Sequence, residues 1–466
     1  MAQQSKPTRR EFVASVGAVA GASAFAGLTV PPVHAGEDNT IRVALIGCGG
    51  RGTGAAANAM SVKNGPVKLV AMADVFEDRL NGSYKNLQQR FSDRMDVPPE
   101  RRFIGFDAYK KAMDCLRPGD VAIFATPPAF RWVHFRYAIE KGLHVFMEKP
   151  ISVDGPTSMR MIELGKEAEK RNLKVAVGLM CRHCRVRMEL ADKIHNGAIG
   201  DIVFARAYRV VGPTGSAFVK KNTTGKSDLE YQIRHFHAFL WLSGGAFSDF
   251  LIHNLDEACW MKNAWPVEAK GFGGRHYRGE YVDQNFDTYV TEYTFPDGTK
   301  LVLYGRCMPG CYNEFATWVH GTKGLARVST SAHYPAKSRI FAGHVDSEDQ
   351  VVWRWKGGRK EPNPYQTEWD DLIDAIRNDR PYSEVYRGAM ASLMCAVGRY
   401  ACHTGQKIKV DDYLKLGYEF APDVDKMDYD TPPPVQPDEE GRYPVPMPGI
   451  ITDREYLDTK KKVAKG

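Results

Sequence analysis

Ile41-Arg42-Val43-Ala44-Leu45-Ile46-Gly47-Cys48-Gly49-Gly50-Arg51-Gly52 carries the strongest fold signal in the chain. An apolar run leads into glycines at 47, 49 and 52, the G-x-G-x-x-G spacing of a strand turning sharply into a helix. Gly47 allows the turn, Gly49 lets backbone approach a pyrophosphate, and Gly52 lets the helix pack close on the strand. The helix N-terminus then offers free N–H groups to phosphate oxygens. Glycine-rich turns are common, so the motif is weak when it stands alone. A second apolar run strengthens it: residues 67–73 end at Asp74, where an acid can hold a ribose 2′-hydroxyl.

Beyond Asp74, strands and helices alternate. Strands are expected at 120–125, ending in Thr126-Pro127-Pro128, at 143–147, ending in Glu148-Lys149-Pro150, and at 173–178. Helices are expected over 75–91, 107–116, 130–141 and 155–171. This alternation predicts an α/β domain over 39–180 with a doubly wound parallel sheet. Ligands of such sheets sit beyond the carboxyl ends of the strands. Gly47, Asp74, Thr126 and Lys149 all fall at such ends, so four features point to one crevice.

The pattern then changes. A helix at 186–196, a strand at 201–211 and a polar loop at 222–226 are followed by an aromatic helix at 234–242, broken by Gly244-Gly245, and a helix at 247–260. Strand-like runs at 267–273, 287–294, 301–306, 315–320 and 326–329 have no helices between them. They predict a mostly antiparallel sheet in a second, α+β domain over 181–412, with late helices at 368–378 and 388–404. Residues 413–466 are rich in Pro, Asp and Tyr and read as an extended tail.

With 43% apolar and 26% charged residues in 466, the chain is long enough for two or three domains with a sizeable core. The net charge of +7 falls to +5 without Lys6, Arg9, Arg10 and Glu11, and no basic stripe alternates with aromatics; nucleic acid is not expected as a partner. Arg9-Arg10 precede an Ala/Gly-rich run, and Val33-His34-Ala35 offers small residues for cleavage, so residues 1–35 read as a Tat-type export signal to the periplasm. Nine cysteines scattered along the chain are not a disulfide framework. Cys181-x-x-Cys184 and Cys307-x-x-x-Cys311 lack the paired spacing of a zinc site, and no metal is expected.

Two clusters could carry chemistry. Lys149, at the end of the fifth strand, could donate to a substrate oxygen and stabilise developing negative charge; a surface lysine between strand and helix is equally open. Asp249 and His253 lie four apart on one helical face, with Asp256 three further on. A histidine can accept a hydroxyl proton and a carboxylate can orient it. A capped and packed helix also accounts for these residues.

The strand–G-x-G-x-R-G start, Asp74, Thr126-Pro127, Glu148-Lys149-Pro150 and the series Gly244-Gly245, Asp249, His253, Asp256 together resemble the glucose–fructose oxidoreductase / inositol dehydrogenase (Gfo/Idh/MocA) family. His195–Asp201 and His320–Gly324 resemble it too, and the likeness covers 39–412. It implies a dinucleotide-binding domain followed by a large open, mostly antiparallel sheet, usually in dimers or tetramers. It implies Lys149 and His253 as the catalytic pair, with Asp249 beside them and a cis Lys149–Pro150 peptide. Gly47, Cys48, Gly49, Gly50, Arg51, Gly52, Asp74, Thr126, Pro127, Glu148 and Lys149 would line the cofactor. Arg182, His183, Tyr231, Arg234 and His237 are candidates to face substrate, each equally open to a structural role.

The expected reaction is NAD(P)-dependent oxidation of a sugar, polyol or related hydroxyl. Asp74 favours NAD, while Arg79 keeps NADP open. An exported enzyme meets no ready pool of free dinucleotide, so the cofactor is expected to be tightly held. A redox-neutral alternative is an NAD-dependent glycosidase, since exported α-N-acetylgalactosaminidases of that type resemble the same family. A second alternative is a non-catalytic dinucleotide-binding sensor.

Overall fold

β1 (Ile41–Ile46) lies at the centre of a parallel sheet, and its apolar residues are buried against helices on both faces. In the computed structural model, residues 39–276, 278–330, 333–357 and 361–457 are described. The expected signal, 1–35, lies outside them.

The first sheet comprises β1, β2 (Val67–Asp74), β3 (Arg102–Ile104), β4 (Val121–Phe124), β5 (His144–Met147) and β6 (Val175–Val177), in the order β3-β2-β1-β4-β5-β6. Every pairing is parallel. The order reverses between β1 and β4, which opens a crevice at their carboxyl ends. Helix Gly50–Met60 starts directly from the glycine turn.

The second sheet is built on β7 (Ile202–Val211), followed by β8 (Glu268–Gly274), β9 (Thr288–Thr294), β10 (Lys300–Cys307), β11 (Glu314–Gly321), β12 (Gly324–Thr330), β13 (Arg339–Phe341), β14 (Val351–Arg354) and β15 (Ile408–Lys409). Its order is β14-β13-β12-β11-β7-β10-β9-β8-β15. β7 and β10 pair in parallel and the other pairings are antiparallel. Burial alternates along β9 and β10: one face packs on helices Gly245–Lys262 and Val385–Thr404, and the other is open.

Several expectations need correction. The aromatic stretch 234–242 is no continuous helix. It splits into a 3-10 turn, Phe236–Ala238, and a short helix, Leu240–Ser243, closed by Gly244 at φ 72°. Helix Asp228–Arg234 precedes it, with Ser227 Oγ accepting from the Glu230 N–H, a local cap that the polar composition concealed. β3, β13, β14 and β15 are too short to show a period.

The boundary at 180 is also crossed again. Helix Pro364–Arg377 lies within the span assigned to the second domain, yet it packs on the first sheet. Trp369, fully buried, stacks on Phe146 at 4.5 Å. Truncating such a ring costs about 3–5 kcal/mol.

Finally, the tail is extended but not free. Beyond helix Val410–Lys415 it buries Phe420, Val424, Val435, Tyr443, Glu455 and Tyr456. Glu455 accepts from Arg399 Nε and Nη2 at 2.8 Å each and pairs with His403 Nδ1 at 2.6 Å, all three fully buried. Arg399 also donates to Ser248 Oγ at 2.8 Å and to the Val153 carbonyl at 3.0 Å. The tail thus anchors the start of helix Gly245–Lys262 and the segment after Pro150.

Candidate active site

The glycine turn is shaped for a dinucleotide. Gly47 holds φ 94°, and a Cβ there would stand 2.6 Å from the Ala125 carbonyl carbon. A Cβ on Gly52 would stand 2.0 Å from the Gly47 oxygen, so only glycine lets the helix meet the strand. At Gly49 a Cβ would meet nothing within 4 Å, and this opening faces a cavity of about 920 Å³. Gly49 caps the helix without any side-chain bond, and no acid occupies the first turn, so its N–H groups suit a pyrophosphate.

Asp74 closes the far side of this cavity. It accepts from the Cys48 and Phe76 N–H groups at 2.6 and 2.9 Å. Burial raises its pKa, and those two bonds oppose the rise. Arg79 lines the same end and donates to the Arg234 carbonyl at 2.8 Å. Of the expected cofactor residues, Gly47, Cys48, Gly49, Gly50, Arg51, Asp74, Thr126 and Pro127 line the cavity and Gly52 supports it from behind, whereas Glu148 and Lys149 line the smaller neighbouring cavity instead.

A second cavity of about 280 Å³ adjoins the first, sharing Arg51, Thr126, Phe236 and His237. Glu148, Lys149, Asp249 and His253 line it. The Lys149–Pro150 peptide is cis. Lys149 Nζ donates to the Asp249 carbonyl at 2.6 Å and lies 3.5 Å from Asp249 Oδ1. His237 Nε2 lies 3.1 Å from Asp249 Oδ2. Burial alone would raise the Asp249 pKa, but Lys149 and His237 outweigh it and hold the carboxyl at about 2.

Asp249 therefore serves Lys149 and His237, and the expectation that it orients His253 is corrected. Four residues apart on one helix, the two side chains diverge toward different neighbours. His253 stands edge-on to His333, with ring centroids 4.5 Å apart, and its Nδ1 is buried without a partner. Burial, His333 and the cations Lys149, Arg209 and Arg187 push its pKa well below 6.5. Its imidazole is neutral near pH 7, the state a general base needs.

This sets a pH dependence. The free enzyme's kcat/KM should stay flat from pH 8 down to 6.5, with its acid limb well below that. A pH–rate profile falling with a midpoint near 6.5 would contradict the assignment of His253 as base. Stability responds earlier: below about pH 6.5 the unfolded chain takes up the proton first, so folding weakens as pH falls.

Several candidates leave the site. Arg182 forms a two-pronged pair with Asp256, at 2.9 and 2.7 Å, and lies over Trp260. His183 is held between Asp371 and Glu384 at 2.8 and 2.9 Å. Tyr231 is buried and donates to the Lys220 carbonyl. Arg234 pairs through both Nη atoms with Asp78, outside the smaller cavity. Of the five, His237 alone lines it.

Other residues carry no mark in the sequence. Arg131, buried, donates to the carbonyls of Thr126 and Glu148 and ties two strand ends together. Arg209, His333 and Tyr365 also line the smaller cavity, and they come from β7 and two distant segments. No local spacing points to them. Ligand atoms of Cys181, His253 and His333 approach within 4.8 Å of one another. Cys184 is not in that group. Lys149, Arg187 and Arg209 all act on His253 and His333, and their charge opposes a divalent cation there.

Residues 41–179 match the family profile described as "Oxidoreductase family, NAD-binding Rossmann fold", and 188–327 match "GFO/IDH/MocA C-terminal domain". The chain is 22% identical over 299 residues to the rhizopine catabolism protein MocA of Rhizobium meliloti, covering 63% of this chain and 79% of that one. It is 27% identical over 166 residues to a glycosyl hydrolase family 109 protein of Streptomyces coelicolor, covering 35% of this chain and 32% of that one. Scyllo-inositol dehydrogenase from Lactobacillus casei, solved with NAD(H) and scyllo-inositol, superposes with a TM-score of 0.57 at 20% identity. That superposition covers 80% of this chain and 99% of the other.

Proposed function

The chain belongs to the GFO/IDH/MocA family of NAD-binding oxidoreductases, and we propose that it oxidises a secondary hydroxyl of a sugar or polyol. The observation that carries this reading is the junction of the two cavities, where Lys149, Asp249 and His253 face the space next to the glycine turn. When bound, NAD supplies a hydride acceptor. Lys149 Nζ, oriented by Asp249, donates to the substrate oxygen. His253 takes the hydroxyl proton, and Thr126 and His237 complete the wall where the two cavities meet. The relatives' names, which speak of rhizopine catabolism and inositol dehydrogenation, support a polyhydroxylated substrate.

NAD is favoured over NADP. Asp74 spends two acceptor positions on backbone, and its charge opposes a 2′-phosphate, although Arg79 stands close. The twin-arginine start supports export to the periplasm, and an exported enzyme needs a retained cofactor. Tyr429 of the tail supports retention: its hydroxyl donates to the Val75 carbonyl at 2.7 Å and its ring packs edge-on to Phe106 at 5.1 Å, both on the wall of the larger cavity. Tyr429→Ala should raise the NAD dissociation rate by up to about tenfold, the value of one aromatic pair. Stopped-flow displacement of NAD measures this, and an unchanged rate would remove the tail from cofactor retention. The open sheet face, with Tyr208 and Tyr304 stacked at 4.8 Å, supports a homo-oligomer.

Mass spectrometry of the purified protein for bound NAD or NADP, followed by a sugar and polyol panel, tests the main reading. The match to a family 109 glycosyl hydrolase favours a redox-neutral glycosidase as second reading. Aglycone release from nitrophenyl glycosides without added NAD would establish it in place of a plain dehydrogenase.

A further inference from the structure

The charges around the smaller cavity do not balance. Arg51, Arg131, Lys149 and Arg209 line it, against the carboxylates Glu148 and Asp249. Arg51 pairs with Glu148, Lys149 with Asp249, and Arg131 spends its donors on two carbonyls. Arg209 is left over. Among the described residues it donates no hydrogen bond and forms no ion pair, its Nε is buried without a partner, and Asp249 acts on it only from beyond bonding distance. Its guanidinium lies over the Phe315 ring at 4.0 Å, which fixes its plane but not its charge. The backbone holds it firmly, since Arg209 sits inside β7, in register with Phe315 of β11 and Gly305 of β10.

A planar, half-buried guanidinium with no directly bonded counter-ion, facing the smaller cavity, calls for an anionic oxygen group in the ligand. The cavity's own carboxylates are bonded elsewhere, Glu148 to Arg51 and Asp249 to Lys149 and His237.

Resting on the oxidoreductase reading, we propose that Arg209 selects an acidic sugar, one carrying a carboxylate or an ester of sulfate or phosphate, and that the guanidinium pairs with that group while Lys149 and His253 act on a hydroxyl of the same ring. The reaction itself is unchanged. The hydroxyl proton goes to His253, NAD when bound would supply the hydride acceptor, and the acidic group neither gains nor loses electrons.

The test compares probes that differ at one carbon: glucose, glucuronic acid, glucose 6-sulfate and glucose 6-phosphate. Binding to the cofactor-loaded protein is followed by calorimetry and turnover by cofactor absorbance. Support requires at least one anionic probe to bind at least tenfold more tightly than glucose. Arg209→Gln should then erase that preference, bringing the anionic probe to within threefold of glucose in the same variant. Arg209→Lys should restore part of it, because a point charge replaces the fork. The three anionic probes separate a carboxylate from a sulfate or phosphate ester. Glucose bound or turned over as well as every anionic probe would overturn the inference and leave the oxidoreductase reading standing. An anionic preference that survives Arg209→Gln in a folded variant would overturn it as well. Tight, Arg209-dependent binding of an acidic probe, with no hydroxyl oxidised anywhere in a broad panel, would instead count against the oxidoreductase reading.

Discussion

Lys149→Ala should lower kcat by about 10²–10³-fold, the usual cost of removing one preorganised donor at a developing oxyanion. The ammonium meets the site at one point, 2.6 Å from the Asp249 carbonyl and 3.5 Å from its carboxylate. The other cations lining the cavity are held elsewhere: Arg51 by Glu148, Arg131 by backbone carbonyls, and Arg209 over the Phe315 ring. The larger cavity owes its walls to Gly47, Asp74 and Thr126, so NAD should bind the variant within a few-fold of the parent. Fluorescence titration of NAD beside steady-state kinetics separates the two effects. Unchanged turnover would remove Lys149 from the chemistry, whereas unchanged biological function in the variant would favour the non-catalytic sensor. Loss of NAD binding together with turnover would mean that the lysine holds the fold of the crevice instead.

Glu455→Gln should destabilise the protein by about 3–5 kcal/mol, the cost of leaving a buried charge without its partner. Arg399 has no solvent exposure, and Glu455 and the carbonyls around it are what offset its desolvation. Burial by itself would raise the Glu455 pKa, yet Arg399 and His403 hold it at about 2 against an ordinary 4.5. This stabilisation is complete above about pH 4.5 and disappears as pH falls toward 2, because the unfolded carboxyl takes up its proton first. Denaturant unfolding of parent and variant at pH 7 measures the difference, and a loss under 1 kcal/mol would show that the tail only lies against the surface. Because Arg399 also holds Ser248, next to Asp249, the variant should lose catalytic rate before it loses cofactor binding.

The legible parts of this protein are those written in short-range pattern. Apolar runs, glycines at fixed spacing and acids or lysines at strand ends place the dinucleotide crevice, because each signal lies within a few residues of the backbone geometry it causes. Gly47 and Gly52 hold the places their spacing implies, for the expected steric reasons, and Asp74 stands at its strand end bonded to the glycine turn. The Asp249–His253 pair shows the limit. The i, i+4 spacing puts both on one helical face but does not say what each one meets there.

The features that spacing hides depend on pairing across long separations. Arg182 and Asp256 are 74 residues apart, Arg399 and Glu455 are 56 apart, and Arg187 pairs with Glu257 across 70. Before folding, an arginine that will be neutralised in the core cannot be told from one that will face a ligand. Residue order alone points to a dinucleotide crevice and to the strand ends that build it, while the lysine and histidine beside it follow only from the family resemblance. Three further properties come from the folded chain: the tail is anchored, Asp249 serves Lys149 and His237, and Arg209 lines the smaller cavity without a bonded partner. Local spacing fixes backbone conformation, whereas the state of a charge depends on every neighbour that folding brings to it.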